Sequence, residues 1–129
     1  MGDCPFCARI RDGRDLTGST GAAVAFADQF PVSDRHTLIV PRRHVSRLEE
    51  LEATEWLDLF ALVRRIALAL TAVAGVDGVN VGFNSGTAAG QTVEHAHVHA
   101  IPRRTGDVPD PRGGVRHVIP ERADYWSRR

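Results

Sequence analysis

Three of the chain's six histidines fall within five residues, in the run Gly90-Gln91-Thr92-Val93-Glu94-His95-Ala96-His97-Val98-His99-Ala100-Ile101-Pro102. Positions i, i+2 and i+4 of a strand share a face. His95, His97 and His99 are therefore expected together, with Ala96, Val98 and Ala100 turned toward a core. Imidazoles are costly to bury unpaired and titrate near neutral pH, so plain packing is a poor use for such a row. Metal ligation is one chemistry that uses it, since histidines at this spacing bind zinc. Nucleophilic or acid–base catalysis by one ring, oriented by its neighbours, is the other. A hydrated surface row without a role is the remaining reading.

The residues before the row favour catalysis. Gly90 permits close backbone approach, Gln91 and Thr92 offer an amide and a hydroxyl, and the turn can present backbone N–H groups. Asn84, at the end of the preceding strand, adds another amide. Together they form a cradle suited to phosphate oxygens. A site built to hold a metal would supply carboxylates or cysteines there instead. The only cysteines, Cys4 and Cys7, are spaced C-x-x-C. With no βαβ pattern after them, a redox role is disfavoured against metal binding.

The elements that must position these groups can be read coarsely. Apolar residues at helical spacing (Leu51, Leu59, Leu62, Val63, Ile66, Leu70 and Val73) predict one long helix over 53–74, closed by Gly75, with Trp56 and Phe60 widening its buried face. Short β-branched runs predict strands at 22–26 and 37–40. Alternation at Val79, Val81 and Phe83 predicts a third, and a fourth spans 93–101. Ser46-Arg47-Leu48-Glu49 has the pattern of a capping box and predicts a brief helical turn. The first twenty residues read as loop with one turn after Cys7. The tail, 103–129, reads as irregular, with an edge strand at 115–119 and a surface His117. Strands around one dominant helix indicate an α+β domain with a mostly antiparallel sheet.

Length and composition agree with one compact domain over 1–129. The chain is 43% hydrophobic and 25% charged, and sixteen basic residues balance sixteen acidic ones. That balance gives no sign of nucleic-acid binding. There is neither an apolar signal-peptide core at the N-terminus nor a run long enough to span a membrane, so a cytoplasmic protein without membrane association is expected.

The run from Gln91 to Pro102 resembles the histidine-triad (HIT) signature. The likeness extends to Ala25-Phe26-Ala27-Asp28, to His36-Thr37-Leu38-Ile39-Val40-Pro41-Arg42-Arg43-His44 and to Asn84-Ser85-Gly86, and so covers most of the chain from Cys4 to about Arg104. The resemblance implies a five-stranded antiparallel sheet with a long and a short helix, extended across a homodimer. It implies a hydrolase in which His97 attacks the α-phosphorus of a purine, AMP-containing nucleotide and forms a nucleotidyl-histidine intermediate. The substrate would be a dinucleoside polyphosphate, a nucleoside phosphoramidate or an adenylate. A nucleotidyltransferase or phosphorylase, and a zinc-stabilised binding module without turnover, are the alternatives.

In the same reading His99 binds phosphate and assists proton transfer, His36 supports the triad, and Asn84, Gly90, Gln91 and Thr92 hold phosphate oxygens. Asp28 meets the ribose, while Phe6 and Phe26 wall the base. The position before His36, usually Gly in the family, is Arg35 here. Cys4 and Cys7 resemble the pair of the zinc-containing branch, which implies a structural zinc held by Cys4, Cys7, His44 and His95.

Overall fold

The computed structural model describes residues 4–128. Five strands form one antiparallel sheet: β1 (Leu16–Ser19), β2 (Ala23–Ala27), β3 (Thr37–Pro41), β4 (Gly78–Gly82) and β5 (Val98–Arg103), in the spatial order β1-β2-β3-β5-β4. Every neighbouring pair is antiparallel, and Leu38 stands opposite His99 in the β3–β5 ladder.

The central strands are buried on both faces, which explains why β2 and β3 read as continuous apolar runs. Ala23, Ala25, Ile39, Val98 and Ala100 pack against Leu59, Leu62, Val63, Ile66 and Leu70 of α2 (Ala53–Thr71). Val24, Phe26, Leu38 and Val40 face the other way and meet Phe6 and Ile10 of α1 (Pro5–Asp12), with Leu16. Gly18 lies where α2 crosses β1; a Cβ there would come within 3.1 Å of Leu62 and 3.3 Å of Ile66. Asp58 fastens the same helix to the β1–β2 turn by accepting from the Thr20 hydroxyl at 2.6 Å and the Ala22 N–H at 2.8 Å.

α1 corrects the expectation of an N-terminal loop. The Cys4 sulfur caps it by accepting from the Cys7 N–H, Pro5 occupies its first turn, and Gly13 closes it with φ +70. Phe6 and Ile10, one turn apart, give it an apolar face toward the sheet. β1 was likewise absent from the loop reading; its half-buried residues alternate with exposed ones and carry little apolar signal.

Three further boundaries differ. The last strand starts at Val98 instead of 93, because the chain bends at residues 93–95 and joins the ladder only from Val98. Residues Gly114–Val118 form a 3₁₀ helix, and the expected edge strand is not there. The helical turn after Ser46 is capped by Glu50, whose carboxylate accepts from the N–H groups of Ser46 and Arg47, while Glu49 accepts from the Ser85 hydroxyl. Among the described residues, no helix is long and apolar enough to cross a membrane.

Candidate active site

His95, His97 and His99 project to the α1 side of the sheet as a continued row of rings. His44 lies 4.9 Å from His95, His97 5.1 Å from His99, and His99 5.2 Å from His36, centre to centre. Phe6 descends from α1 with its ring 5.8 Å from His95 and 5.1 Å from His97. His95 is fully buried and His97 is 9% exposed.

Backbone carbonyls, which can only accept, fix the protons on two of these rings. His97 Nδ1 stands 2.8 Å from the His95 carbonyl oxygen and must donate to it, which leaves Nε2 unprotonated in the neutral ring. His95 Nε2 stands 2.8 Å from the Pro41 carbonyl oxygen, so it carries the proton and leaves Nδ1 as a lone-pair donor. The Ala96 N–H donates to Val45 and pins the backbone between them.

The same logic orders the other end. The Val32 N–H donates to His36 Nδ1 at 3.1 Å, so the neutral His36 ring is protonated on Nε2. That atom is 2.9 Å from His99 Nδ1 and 3.4 Å from an Asp28 carboxylate oxygen. His36 therefore donates to His99, and the His99 proton sits on Nε2. Burial lowers the pKa of both rings, opposed at each by Asp28; His99 falls to about 4. A ring held neutral with its one proton on Nε2 is a hydrogen-bond donor at neutral pH.

Cys4, Cys7, His44 and His95 converge at the opposite end of the row. Cys4 Sγ and Cys7 Sγ lie 3.4 and 3.6 Å from His95 Nδ1, Cys7 Sγ lies 3.4 Å from His44 Nδ1, and the two Nδ1 atoms are 3.1 Å apart. A tetrahedral zinc with ordinary bond lengths requires S···N of about 3.5 Å and N···N of about 3.3 Å. These four separations match the edges of a zinc-sized tetrahedron, and all four atoms lie within 4.8 Å of one another. Burial and the neighbouring Cys4 push the Cys7 thiol above its usual range.

Asp28, His36 and His99 also stand close together, but there the contacts form a hydrogen-bond chain. Among the described residues, His95, His97 and His99 do not converge on one point that a single ion could occupy.

A cleft of about 630 Å³ opens above His97 and His99, a size suited to a small-molecule ligand. Phe6, Phe26, Asp28, Asn84, Gly90 and Thr92 all line it. Gly90, with φ +95, turns the chain into the cradle. Gln91 is the exception among the expected phosphate contacts. Its amide oxygen accepts from the Gly86 N–H at 2.8 Å, and its nitrogen donates to the carbonyls of Ser46 and Val93 at 2.6 and 3.0 Å. At 8% exposed and absent from the cleft wall, Gln91 clasps the loop from beneath.

Arg9 and Phe30 also line the cleft and were not singled out by sequence. The available signal was the i, i+3 spacing of Arg9 from Phe6, legible only once α1 is recognised. Arg103 is held by Asp107 at 2.8 Å and Asn80 at 2.7 Å. Trp126 carries the Arg112 guanidinium 4.8 Å from its ring centre, within its own tail.

The family model described as "HIT domain" matches residues 13–106. The bis(5'-nucleosyl)-tetraphosphatase [asymmetrical] of Schizosaccharomyces pombe is 40% identical over 95 residues, covering 74% of this chain and 52% of that protein. The AP-4-A phosphorylase of Mycobacterium tuberculosis is 37% identical over 77% of this chain and 52% of its own length. The chain thus spans about half the length of these two relatives. Among solved structures, a Zn-bound histidine triad family protein from Mycobacterium smegmatis superposes with a TM-score of 0.76 at 31% identity, covering 84% of this chain and 85% of that one.

Proposed function

The chain belongs to the HIT domain family, and from that premise we propose that it is a nucleotide-cleaving enzyme in which His97 Nε2 attacks an α-phosphorus. The observation that carries this reading is the hydrogen bond from His97 Nδ1 to the His95 carbonyl, which leaves an unprotonated nitrogen facing the cleft. The names of the tetraphosphatase and phosphorylase relatives support a substrate of the dinucleoside polyphosphate class. Nucleoside phosphoramidates and adenylates present the same α-phosphate.

The reaction has two displacements. In the first, a bond forms between His97 Nε2 and phosphorus while the bond to the leaving oxygen or nitrogen breaks, and the leaving group takes its electron pair. His99 Nε2–H hydrogen-bonds the phosphate and the departing atom and keeps its proton, while a leaving atom that needs a proton takes it from solvent; His36, donating from behind, keeps His99 in that tautomer. In the second, water attacks phosphorus and releases its proton to solvent, the Nε2–P bond breaks with its electron pair returning to the neutral His97 ring, and nucleoside monophosphate leaves. Neutral imidazole is both nucleophile and leaving group, so one hard step becomes two easier ones. Thr92, Asn84 and the backbone at Gly90 hold the phosphate oxygens and stabilise charge as it shifts in the transition state. Asp28 receives the ribose hydroxyls, and Phe6 and Phe26 wall the base.

Cys4, Cys7, His44 and His95 are assigned to a structural zinc. The fitted distances and the Zn-bound relative support it, and four protein ligands leave no open position for catalysis. When bound, the ion supplies a fixed anchor for the His95 backbone, whose carbonyl orients His97. Pairing with a second copy along the outer strand β4 is proposed for the sheet.

The test is an acid-quench time course with diadenosine tetraphosphate and adenosine phosphoramidate, read by mass spectrometry. The expected result is product formation with a transient nucleotidyl adduct on His97. Turnover with no adduct at any time would remove covalent catalysis; added inorganic phosphate that changes the product would make the enzyme a phosphorylase.

A further inference from the structure

The wall of the cleft away from His97 holds a charge that the proposed chemistry does not use. Arg9, one turn along α1 from Phe6, lies over Phe26 with its guanidinium carbon 4.5 Å from the ring centre. It is half-buried and lines the same cleft. Arg43, Arg103 and Arg112 are each held by a carboxylate. Among the described residues, by contrast, the Arg9 guanidinium makes no hydrogen bond to any protein acceptor. A planar fork of N–H donors, positioned by an aromatic face and left unpaired in a ligand-sized cleft, asks for an acceptor from the ligand.

The order of groups along the cleft says which part of the ligand arrives there. Phe6 separates His97 from Phe26, at 5.1 and 5.6 Å centre to centre, and Arg9 stands beyond, over Phe26. With phosphorus at His97 and the ribose at Asp28, the base continues toward Phe26 and Arg9. Guanine and hypoxanthine present O6 and N7, two adjacent acceptors that match a guanidinium. Adenine places an amino donor beside N7, where it opposes the guanidinium.

We propose that Arg9 donates to O6 and N7 of the base and so selects 6-oxopurine nucleotides, those of guanine or hypoxanthine, over adenine nucleotides. The inference rests on the cleft being the nucleotide site argued above, and adds the base that this chain prefers.

The experiment is calorimetric titration of the full-length, zinc-loaded protein with GMP, IMP and AMP, repeated on Arg9→Met, which keeps an apolar stem on Phe26 and removes the donors. GMP and IMP are expected to bind wild type about tenfold more tightly than AMP, as one bidentate pair allows. In Arg9→Met the three should fall within about twofold of one another, chiefly through weaker GMP and IMP binding. Relative kcat/KM for guanosine and adenosine 5'-phosphoramidate should follow the same pattern. Equal affinities in wild type, a preference that survives in Arg9→Met, or IMP behaving like AMP would each overturn the role of Arg9. Binding without selectivity leaves the nucleotide site standing; no binding by any of the three overturns both.

Discussion

His95 and His99 sit four residues apart and project to the same face, the first fully buried and the second partly so, yet the protein gives them opposite tasks. At His95 a carbonyl accepts from Nε2–H and leaves Nδ1 aimed at two sulfurs and a second imidazole nitrogen. At His99 a neighbouring ring donates to Nδ1 and leaves the proton on Nε2, facing the cleft. One end presents lone pairs to a cation, while the other presents a hydrogen to an anion. His97 stands between them and takes its orientation from the backbone of the first end and its working partner from the second. The comparison teaches that the tautomer imposed by the far nitrogen sets the role of each ring, more than its residue type.

The sharpest way to break this division is at its midpoint. His97→Gly removes the only ring that belongs to neither end. Its kcat is expected to fall by about 10³-fold or more, while the melting temperature and the metal content stay at wild-type values. Loss of metal in that variant would show that the row is a single metal site.

The cysteine end should answer to metal and stability first. Cys4→Ser and Cys7→Ser should each lose the bound zinc, measured by elemental analysis as one ion per chain in wild type and none in the variants. Stability should drop by about 3–5 kcal/mol in denaturant titration, less than for a peptide that folds only on metal, because two apolar layers remain. Activity should fall with it as the His95 carbonyl loosens.

The other end should answer to pH. Unfolded, His99 binds a proton near 6.5; folded, burial lowers that to about 4. Between these values the unfolded chain holds the extra proton, so this contribution to stability is complete above pH 6.5 and is lost as pH falls toward 4. His97, His36 and Asp28 are the charged or titratable groups facing it. The loss should be about 2 kcal/mol once solvent screening is allowed for. It is checked as the difference between wild type and His99→Gln in denaturant midpoints at pH 7 and pH 5; the same slope in both would remove the assignment.

A smaller effect sharpens the approach to His36. Arg35 adopts a left-handed backbone, φ +70, which costs a residue with a Cβ and costs glycine little. Arg35→Gly should stabilise the protein by about 0.5–1 kcal/mol in the same titration, with kcat unchanged.

The long helix, the two apolar central strands and the shared face of the triad were legible in the sequence because each rests on a local pattern, a period in the helix and the triad and a continuous apolar run in the strands. α1 carried signals as clear, Pro5 in its first turn and Gly13 at its close, but its apolar face is only two residues wide and its cap is a cysteine sulfur. The tail showed the reverse failure: Val115, Val118 and Ile119 look like a strand yet pair with none and stay exposed, the first two in a 3₁₀ helix and Ile119 at its end. Gln91 was read as a ligand contact from its place beside the triad. Whether its amide faced a phosphate or the underside of its own loop depended on where the carbonyls of Ser46 and Val93 lie.

By itself, then, the sequence determined which residue types share a face and which could ligate a metal or attack phosphorus, since spacing along a strand or helix is a one-dimensional property. Tertiary structure decided what each ring does. The proton on His95 is set by Pro41, 54 residues away, and that on His99 by His36, 63 residues away. It also brought Arg9 over Phe26 at the mouth of the same cleft. Hydrogen bonds between segments so distant in the chain form only when the sheet closes, and no local pattern encodes them.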